Sequence, residues 1–308
     1  MAPSHLFVLA PPRSFTSVTC AMLGQHPQMY SLPEVHLFVA GTYNELLKLY
    51  QIRRGFQHGL LRAIAELGLG AQTEANVVAA RQWLEELGDT DTATLYQDLA
   101  EWASPRALVD KSPTYVYKSE SLERIAASVP GAYYLHLTRH PRAMCESVYT
   151  LRRDIKERLA NFIPDSRSRA GIENRHNRLA KHDDPETIWL KPHRNIMNFL
   201  EKVPSGHKMR IRGEDLLADT DKHLKEIADW LGIRSDDESL EAMKHPEQSP
   251  FAKFGPSNAR FGNDPGFLAN PKLRPFVPKP LELEDIVGDD FNHSMSAEIK
   301  ELAAEFGY

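Results

Sequence analysis

Residues 5–17 read His-Leu-Phe-Val-Leu-Ala-Pro-Pro-Arg-Ser-Phe-Thr-Ser, an apolar run that passes directly into a loop rich in hydroxyl groups. This pattern predicts a buried strand, a tight turn at Pro11 and Pro12, and then a helix. The first backbone N–H groups of a helix have no partners inside it, and they lie at the positive end of its dipole. We therefore expect a strand–loop–helix unit of an α/β fold whose loop attracts an anion.

The side chains of this loop suit a phosphate group. Arg13 offers a planar, charged guanidinium, and Ser14, Thr16 and Ser17 add hydroxyl donors. The NTP-binding pattern Gly-x-x-x-x-Gly-Lys-Ser/Thr is missing, so the loop has no lysine for a γ-phosphate. The loop therefore indicates a nucleotide phosphate without ordinary ATP chemistry, although prolines and serines also begin many helices that bind nothing.

A second strand–helix junction lies far downstream. Residues 132–138 form an aromatic and aliphatic run typical of a buried strand, and Arg139 and then Pro141 follow it. Ser147 comes eight residues after Arg139, about two helical turns, which returns it toward the strand end. The arginine and the serine can then share one phosphate. The alternative is a surface Arg-Pro turn followed by an unrelated serine.

The coarse pattern of the chain is α/β. Strands are predicted at 5–10, 107–109, 132–138 and 208–212, and amphipathic helices at 221–231 and 296–306. The helical stripes are Leu224, Ile227, Ala228 and Leu231, then Ile299, Leu302, Ala303 and Phe306. Strands separated by helices predict a parallel sheet flanked by helices on both faces, with ligands bound beyond the carboxyl ends of its strands. No linker-like stretch divides the chain, so we expect one domain over residues 1–308.

Composition agrees with a globular protein of the cytoplasm. The chain has 308 residues, 42% of them hydrophobic, and a net charge of −5, which gives no overall basic footprint for nucleic acid. The N-terminal apolar run is too short for a signal peptide or a membrane span. The two cysteines, Cys20 and Cys145, and the histidines lack metal-ligand spacing, so we expect reduced core cysteines and no metal.

Residues 246–280 contain eight of the 21 prolines, which on their own suggest a disordered tail. Five phenylalanines argue against that interpretation, because disordered segments are usually poor in aromatic residues. They are Phe251, Phe254, Phe261, Phe267 and Phe276. We expect an ordered, irregular, proline-rich C-terminal flap that covers the site and excludes water.

These segments, in this order, resemble the sulfotransferases that use 3′-phosphoadenosine 5′-phosphosulfate (PAPS). Residues 110–115, Asp-Lys-Ser-Pro-Thr-Tyr, are similar to the family's Lys-x-Pro segment, and residues 212–216, Arg-Gly-Glu-Asp-Leu, to its Tyr-Glu-Asp-Leu segment. Residues 262–268, Gly-Asn-Asp-Pro-Gly-Phe-Leu, resemble a loop of one bacterial branch, which includes the sulfotransferase domains of curacin-type polyketide synthases. Tyrosylprotein sulfotransferases share a shorter stretch around residues 13–36.

The resemblance implies a P-loop-like sulfotransferase fold and assigns the donor site. The loop after the first strand holds the 5′-phosphosulfate, and the later strand–helix pair, with Arg139 and Ser147, holds the 3′-phosphate. The loop residues are Arg13, Ser14, Phe15, Thr16 and Ser17. Two positions depart from the family pattern: Phe15 stands where glycine is usual, and Gly213 stands in place of the tyrosine.

The resemblance also implies catalytic roles for Glu34, His36 and Lys111. Glu34 aligns with the base of the tyrosylprotein sulfotransferases, and we expect His36 to assist it or to replace it. Lys111 is expected to meet the charge that develops on the leaving phosphate, so that Arg13 and Lys111 take the place of a metal ion. Without the resemblance, a glutamate in a first helical turn, a packed histidine and a solvated lysine explain the same residues.

The acceptor is expected to be a hydroxyl compound, either a small molecule or a group presented on a carrier. Residues 152–181 are basic and follow the second junction, so they are a candidate docking surface for an anionic acyl carrier protein; a solvated helical face is the alternative. Two further hypotheses for the chain remain, a kinase-like nucleotide-binding protein and a non-catalytic binding protein on the same scaffold. The basic residues are Arg152, Arg153, Lys156, Arg158, Arg167, Arg169, Arg175, Arg178 and Lys181.

Overall fold

The computed structural model describes residues 5–162, 184–277, 281–283, 286–288 and 291–308. The strands of its main sheet are His5–Leu9 (β1), Met29–Ser31 (β2), Ala107–Asp110 (β3), Tyr133–Thr138 (β4) and Lys208–Arg212 (β5). The sheet order is β2-β3-β1-β4-β5, and every neighbouring pair is parallel. The carboxyl ends of all five strands therefore lie at one edge, and the predicted α/β architecture is confirmed.

Helices connect and cover these strands. They are α1 (Thr16–Leu23), α2 (Tyr43–Ile52), α3 (Gln57–Leu67), α4 (Glu74–Glu86), α5 (Thr92–Ala103), α6 (Ser119–Ser128), α7 (Pro141–Phe162), α8 (Lys191–Glu201), α9 (Gly213–Ala218), α10 (Thr220–Leu231), α11 (Asp237–Met243), α12 (Pro265–Ala269) and α13 (Ala297–Glu305). A π-helical turn at Glu186–Leu190 leads into α8. Two short strands, β6 (Ile286–Gly288) and β7 (Phe291–His293), form a separate antiparallel pair.

Alternating side chains of β1 point into two different cores. Phe7 and Leu9 belong to a buried cluster with residues of α2–α6 and α8, whereas Leu6 and Val8 belong to a second cluster with residues of α1 and α9–α11. Successive side chains of a strand point to opposite faces of a sheet, so a strand that is apolar on both faces must be covered on both. The central strand of the site is thus fixed by helices on its two sides.

The helix ends follow from their sequences. α10 ends where Gly232 takes a left-handed conformation (φ 64°), and its four predicted stripe residues are all buried. α13 begins after Ser296, whose side chain accepts a hydrogen bond from the backbone N–H of Ile299. The predicted strands match to within one residue at each end, and Pro141 begins α7 as expected. Cys20 and Cys145 are buried free thiols, as predicted.

Three strands were not predicted from the sequence. β2 has only three residues and pairs with β3 alone, so it offers too short a stretch for a periodic pattern. β6 and β7 are equally short. The parts of the chain that the structure describes include no helix with the length and apolar character required to cross a membrane.

The proline-rich segment packs on the domain through residues 246–277, the part of it that the structure describes. Phe251 and Ala259 join the core cluster of α2–α6, and Phe267 packs with Ala252 against α1. Buried Arg62 of α3 donates to the carbonyl oxygens of Lys253 and Phe261 at 2.9 Å each. The segment is therefore anchored beside the sheet edge, and its closure over the site as a flap stays a prediction.

Candidate active site

Residues 10–15 form the loop that leaves β1 and leads into α1. Arg13 and Phe15 both take left-handed backbone conformations, with φ of 67° and 59°. Ser14 is fully buried, and its Oγ atom has no hydrogen-bond partner among the described residues. The loop thus offers a buried hydroxyl and the first backbone donors of α1 at the edge where ligands bind in parallel sheets.

The structure brings the two predicted phosphate-binding junctions together. Arg13 Nε donates to Ser147 Oγ at 3.1 Å, and Arg139 Nη1 donates to the backbone oxygen of Arg13. Arg139 Nε has no hydrogen-bond partner among the described residues. Burial lowers the pKa of Arg139 from its usual value, because desolvation disfavours the cation. Two arginines and a serine thus lie within one site although 134 residues separate Arg13 from Ser147.

Contacts behind Arg139 hold its junction in place. Trp189 Nε1 donates to the backbone oxygen of Arg139 at 2.9 Å, and Glu214 accepts from the backbone N–H of His140 at 3.0 Å. The hydroxyl of Tyr308 in turn donates to Glu214 at 2.9 Å. Residues from three distant parts of the chain therefore fix the turn between β4 and α7. No sequence pattern indicated this role for Trp189 or Tyr308.

A cavity of about 520 Å³ opens beside the loop. Its charged and hydroxyl groups lie next to a wall of apolar side chains, which suits a molecule with an anionic end and a flat, less polar part. Arg13, Thr16, Ser17, Arg139 and Ser147 supply the polar side, and Val18, Leu217, Phe267, Leu273 and Phe276 supply the apolar side. Lys272 and Arg274 of the proline-rich segment add two further cations to its lining.

The predicted catalytic residues also converge. Lys111 follows β3 and is 1% exposed, and its Nζ lies 2.5 Å from Glu34 Oε1 and 3.1 Å from Ser17 Oγ. The ammonium therefore touches both the predicted phosphate-binding loop and the carboxylate. A Cβ atom on Gly59 of α3 would lie 2.0 Å from the backbone oxygen of Glu34, so only glycine lets α3 approach Glu34 this closely.

His36 lies beside Glu34 in a buried pocket. Its Nε2 is 3.8 Å from Glu34 Oε2, and its Nδ1 is 2.8 Å from Thr114 Oγ1. Its backbone is left-handed (φ 54°), which turns the ring back toward Glu34. Burial lowers the pKa of His36 to about 4, so the ring is neutral near pH 7. The left-handed backbone at His36 thus brings the two side chains together, although residues two positions apart do not share a helix face.

Asp110 supports the same group of residues from the end of β3. It is fully buried and accepts hydrogen bonds from Tyr115 Oη at 3.0 Å and Ser112 Oγ at 3.3 Å. Ser112 Oγ also accepts from the backbone N–H of His36 at 3.0 Å. Burial raises the pKa of Asp110 to about 7. A relay of short contacts thus joins β3 to the turn that carries His36.

Three consecutive residues of the proline-rich segment each contact one of these groups. The Gly262 oxygen accepts from the backbone N–H of Glu34 at 2.7 Å, and Asn263 Oδ1 accepts from Lys111 Nζ at 3.2 Å. Asp264 pairs with Arg13 through its carboxylate. The sequence singled out the segment 262–268 but assigned no role to Asn263 or Asp264, because nothing in it indicated which residues they would meet.

The predicted basic stretch lies partly outside the described residues. Ser147, Arg152 and Arg153 lie on the part of α7 whose side chains the structure describes, and Arg153 is exposed. The side chains of Lys156 and Arg158, and the basic residues at 167, 169, 175, 178 and 181, lie outside the described residues. Over the described ranges, no group of three or more histidine, cysteine or acidic residues is arranged to hold a metal ion.

Comparison with known proteins identifies a family and a fold. The model of the Sulfotransferase family matches residues 3–237 of this chain. No curated protein shows significant sequence similarity to it. The matched range contains every predicted catalytic and donor-binding residue, whereas Gly262, Asn263 and Asp264 lie beyond its end.

Two solved structures are similar over nearly the whole chain. The sulfotransferase domain from the olefin synthase of Synechococcus PCC 7002 is 26% identical with a TM-score of 0.71, and the match covers 100% of this chain and 96% of that one. The sulfotransferase domain from the curacin biosynthetic pathway is 24% identical, also with a TM-score of 0.71, and the match covers 99% and 98%. The fold of this chain is therefore that of these two domains.

Proposed function

This chain belongs to the sulfotransferase family, and we propose that it transfers a sulfuryl group from PAPS to a hydroxyl acceptor. One observation carries the proposal. Arg13, Lys111 and Arg139 follow the neighbouring strands β1, β3 and β4, and Glu34 touches the lysine of this set. Three cations beside a carboxylate suit the cleavage of an anionic phosphate–sulfate anhydride and the deprotonation of an alcohol.

The cavity and its polar groups suit PAPS as the donor. The cavity of about 520 Å³ lies within the range of small-molecule sites, which is about 300–1,000 Å³. Ser14 Oγ and Arg139 Nε are polar atoms without partners among the described residues, as expected for groups that await ligand oxygens. We assign the loop 13–17 to the 5′-phosphosulfate, and Arg139 and Ser147 to the 3′-phosphate.

The chemistry needs a base at the attacking oxygen and a cation at the leaving oxygen of the transferred group. The acceptor oxygen forms a bond to sulfur while the bond from sulfur to the 5′-phosphate oxygen breaks, and the electron pair of that bond stays with the phosphate. Glu34 takes the proton of the acceptor hydroxyl. Lys111, assisted by Arg13, meets the charge on the departing phosphate oxygen.

Exposure favours Glu34 over His36 as the base. The side chain of Glu34 is 22% exposed and that of His36 is 4% exposed, so an acceptor reaches the carboxylate first. His36, neutral near pH 7 and 3.8 Å from Glu34, is placed to orient the carboxylate and to receive its proton. We therefore propose Glu34 as the base and His36 as its assistant.

A second cavity, of about 910 Å³, suits the acceptor. It shares Arg13, Arg139 and Ser147 with the donor cavity and extends along α7 to Phe254 and Phe261. These two aromatic side chains are partly exposed, so the cleft offers an apolar wall in the same cavity as Arg13 and Arg139. We propose an acceptor with an extended apolar part, an acyl chain on a carrier protein being the first candidate, because the two similar domains come from a biosynthetic pathway and from an olefin synthase.

Calorimetry with adenosine 3′,5′-bisphosphate and ATP, both without magnesium, tests the donor assignment. We expect the bisphosphate to bind at least tenfold more tightly, since Arg139 and Ser147 have no partner on a nucleotide that lacks the 3′-phosphate. Ser147→Ala should weaken the binding of the bisphosphate and leave the affinity for ATP unchanged. Ser205→Ala, at an exposed turn outside the site, is the control. Tighter binding of ATP would favour a kinase-like protein, and donor binding without sulfation of any hydroxyl acceptor would favour a non-catalytic one.

A further inference from the structure

Phe15 takes a backbone conformation that a residue with a side chain rarely adopts. Its φ and ψ are 59° and 12°, in the left-handed region, where Cβ crowds the neighbouring carbonyl oxygen. A phenylalanine persists there only if contacts of its ring offset the strain. The position lies between Arg13 and Thr16, in the loop that lines the donor cavity.

The ring of Phe15 makes two such contacts. The guanidinium carbon of Arg139 lies 4.4 Å from the centre of the ring, within the range of a cation–π interaction. The ring of Phe276 meets Phe15 edge to face, with 5.5 Å between the ring centres. Phe15 therefore lies between the arginine assigned to the 3′-phosphate and the proline-rich segment.

Gly213, at the start of α9, leaves the room that this ring needs. A Cβ atom at position 213 would lie 2.5 Å from Phe15 Cδ2, closer than such contacts allow. The same atom would lie 3.3 Å from the backbone oxygen of Thr138, so the helix cannot retreat freely on that side. The bulky residue at 15 and the absent side chain at 213 thus depend on each other.

Arg139 needs a support of this kind. Its Nη1 is used by the backbone of Arg13, its Nε is unpartnered among the described residues, and another cation, Arg13, lies next to it. Desolvation and, more weakly, the charge of Arg13 act against a fixed guanidinium there, whereas the carboxylate of Glu214 acts in its favour. The negative face of an aromatic ring offsets both effects and holds the guanidinium flat without using any of its donors.

We propose that Phe15 is the positioning residue for Arg139, that Gly213 supplies its space, and that the pair sets the preference of the site for nucleotides with a 3′-phosphate. This inference rests on the donor site proposed above. It predicts that an aromatic face at position 15, and not apolar volume alone, determines the affinity for the 3′-phosphate.

Calorimetry with two probes, adenosine 3′,5′-bisphosphate and adenosine 5′-monophosphate, tests the role of Phe15. Phe15→Leu keeps apolar volume but removes the ring face, so the Kd of the bisphosphate should rise about five- to tenfold, as expected for the loss of a partly buried cation–π contact. The Kd of the monophosphate should change less than twofold. Phe15→Tyr keeps the face and should retain the wild-type values, and melting temperatures check that each variant folds.

A second measurement tests the dependence on Gly213. Gly213→Ala should raise the Kd of the bisphosphate in the wild-type chain, because the new methyl group displaces the ring of Phe15. In a Phe15→Gly background the same change should have no effect. Equal effects of Gly213→Ala in both backgrounds, or a Phe15→Leu protein with an unaltered preference for the bisphosphate, would overturn the inference and leave the proposed function standing. A wild-type protein that binds both probes equally would overturn the donor site as well.

Discussion

The ammonium of Lys111 and the carboxylate of Glu34 form an ion pair, with 2.5 Å between Nζ and Oε1. The lysine proposed to meet the leaving group is thus held by the carboxylate proposed as the base. When Glu34 takes the acceptor proton it loses its charge, and its hold on Lys111 weakens. We expect deprotonation of the acceptor to release the lysine toward the departing phosphate oxygen, so that the two events are linked.

Glu34→Gln tests the base. It keeps the shape of the side chain and removes the proton acceptor, so turnover should fall about 10²- to 10⁴-fold while the Kd of adenosine 3′,5′-bisphosphate stays within about twofold. Steady-state kinetics and calorimetry measure the two quantities. His36→Gln should reduce turnover less, and Glu301→Gln, exposed on α13, is the matched control. A Glu34→Gln enzyme with more than half of the wild-type turnover would move the base role to His36.

Lys111→Met tests the link between the two groups. Loss of the ammonium should lower kcat at least about 10²-fold, the cost typical of removing one charge-stabilising group. Residues that act as a unit are not additive, so Glu34→Gln with Lys111→Met should be little slower than the worse single variant. Single-turnover rates on donor-saturated enzyme measure the chemical step directly. Fully multiplicative losses would show that base and lysine act independently.

Asp264→Asn tests the ion pair at Arg13. Asp264 presents its carboxylate to the guanidinium that is assigned to the donor, so it competes with an anionic ligand. Asparagine still caps α12, where Asp264 accepts from the backbone N–H of Phe267 at 3.1 Å. We expect the Kd of the bisphosphate to fall several-fold in calorimetry, with an unaltered melting temperature. Weaker binding would mean that Asp264 orients Arg13 for the donor instead of competing with it.

Buried histidines predict a loss of stability in acid. Burial lowers the pKa of His36 to about 4 and that of His193 to about 3, and it lowers the pKa of His136 as well. The unfolded chain binds these protons near pH 6.5, so protonation favours unfolding as the pH falls from about 6.5 toward 4. Calorimetric melting temperatures should therefore drop over this range, and His36→Gln should make the drop shallower.

Asp110 acts in the opposite direction. Its pKa is raised to about 7, so the folded state keeps a proton that the unfolded state loses near pH 4. Its contribution to stability is therefore present at low pH and is lost as the pH rises toward 7. Asp110→Asn should make the acid loss of melting temperature steeper than in the wild type. An unchanged slope would mean that Asp110 is ionised in the folded protein.

Salt and charge reversal test a carrier-bound acceptor. Reversal of Arg152 and Arg153 to glutamate should raise the KM of an acyl carrier substrate and leave donor binding unchanged. The wild-type KM should rise with salt, because the Debye length shrinks from about 10 Å at 0.1 M to about 3 Å at 1 M. Reversal of Lys222 and Lys300, both exposed on other faces, is the control. Efficient, salt-independent turnover of a free hydroxyl compound would reject the carrier and spare the sulfotransferase.

The sequence predicted those parts of the site that depend only on the order and direction of the strands. Arg13, Lys111 and Arg139 each follow a strand, and the carboxyl ends of parallel strands meet at one edge, so their proximity could be expected without knowing any contact. The short strand β2 was not predicted, because three residues are too few to show an alternation of apolar and polar side chains. Two sets of contacts were not predicted: the stacking of Phe15 on Arg139, and the partners of Asn263 and Asp264. They depend on how distant loops pack together, which no local sequence pattern indicates.

The contacts made by residues 262–264 mean that the site is completed by residues that are synthesised after those of the main sheet. All five strands of the main sheet are complete by residue 212, whereas the partners of Glu34, Lys111 and Arg13 come at least 50 positions later. On the ribosome, a chain can therefore close its sheet while its reacting groups still lack their final neighbours. The site proposed for sulfation is therefore complete only after residues 262–264 have emerged.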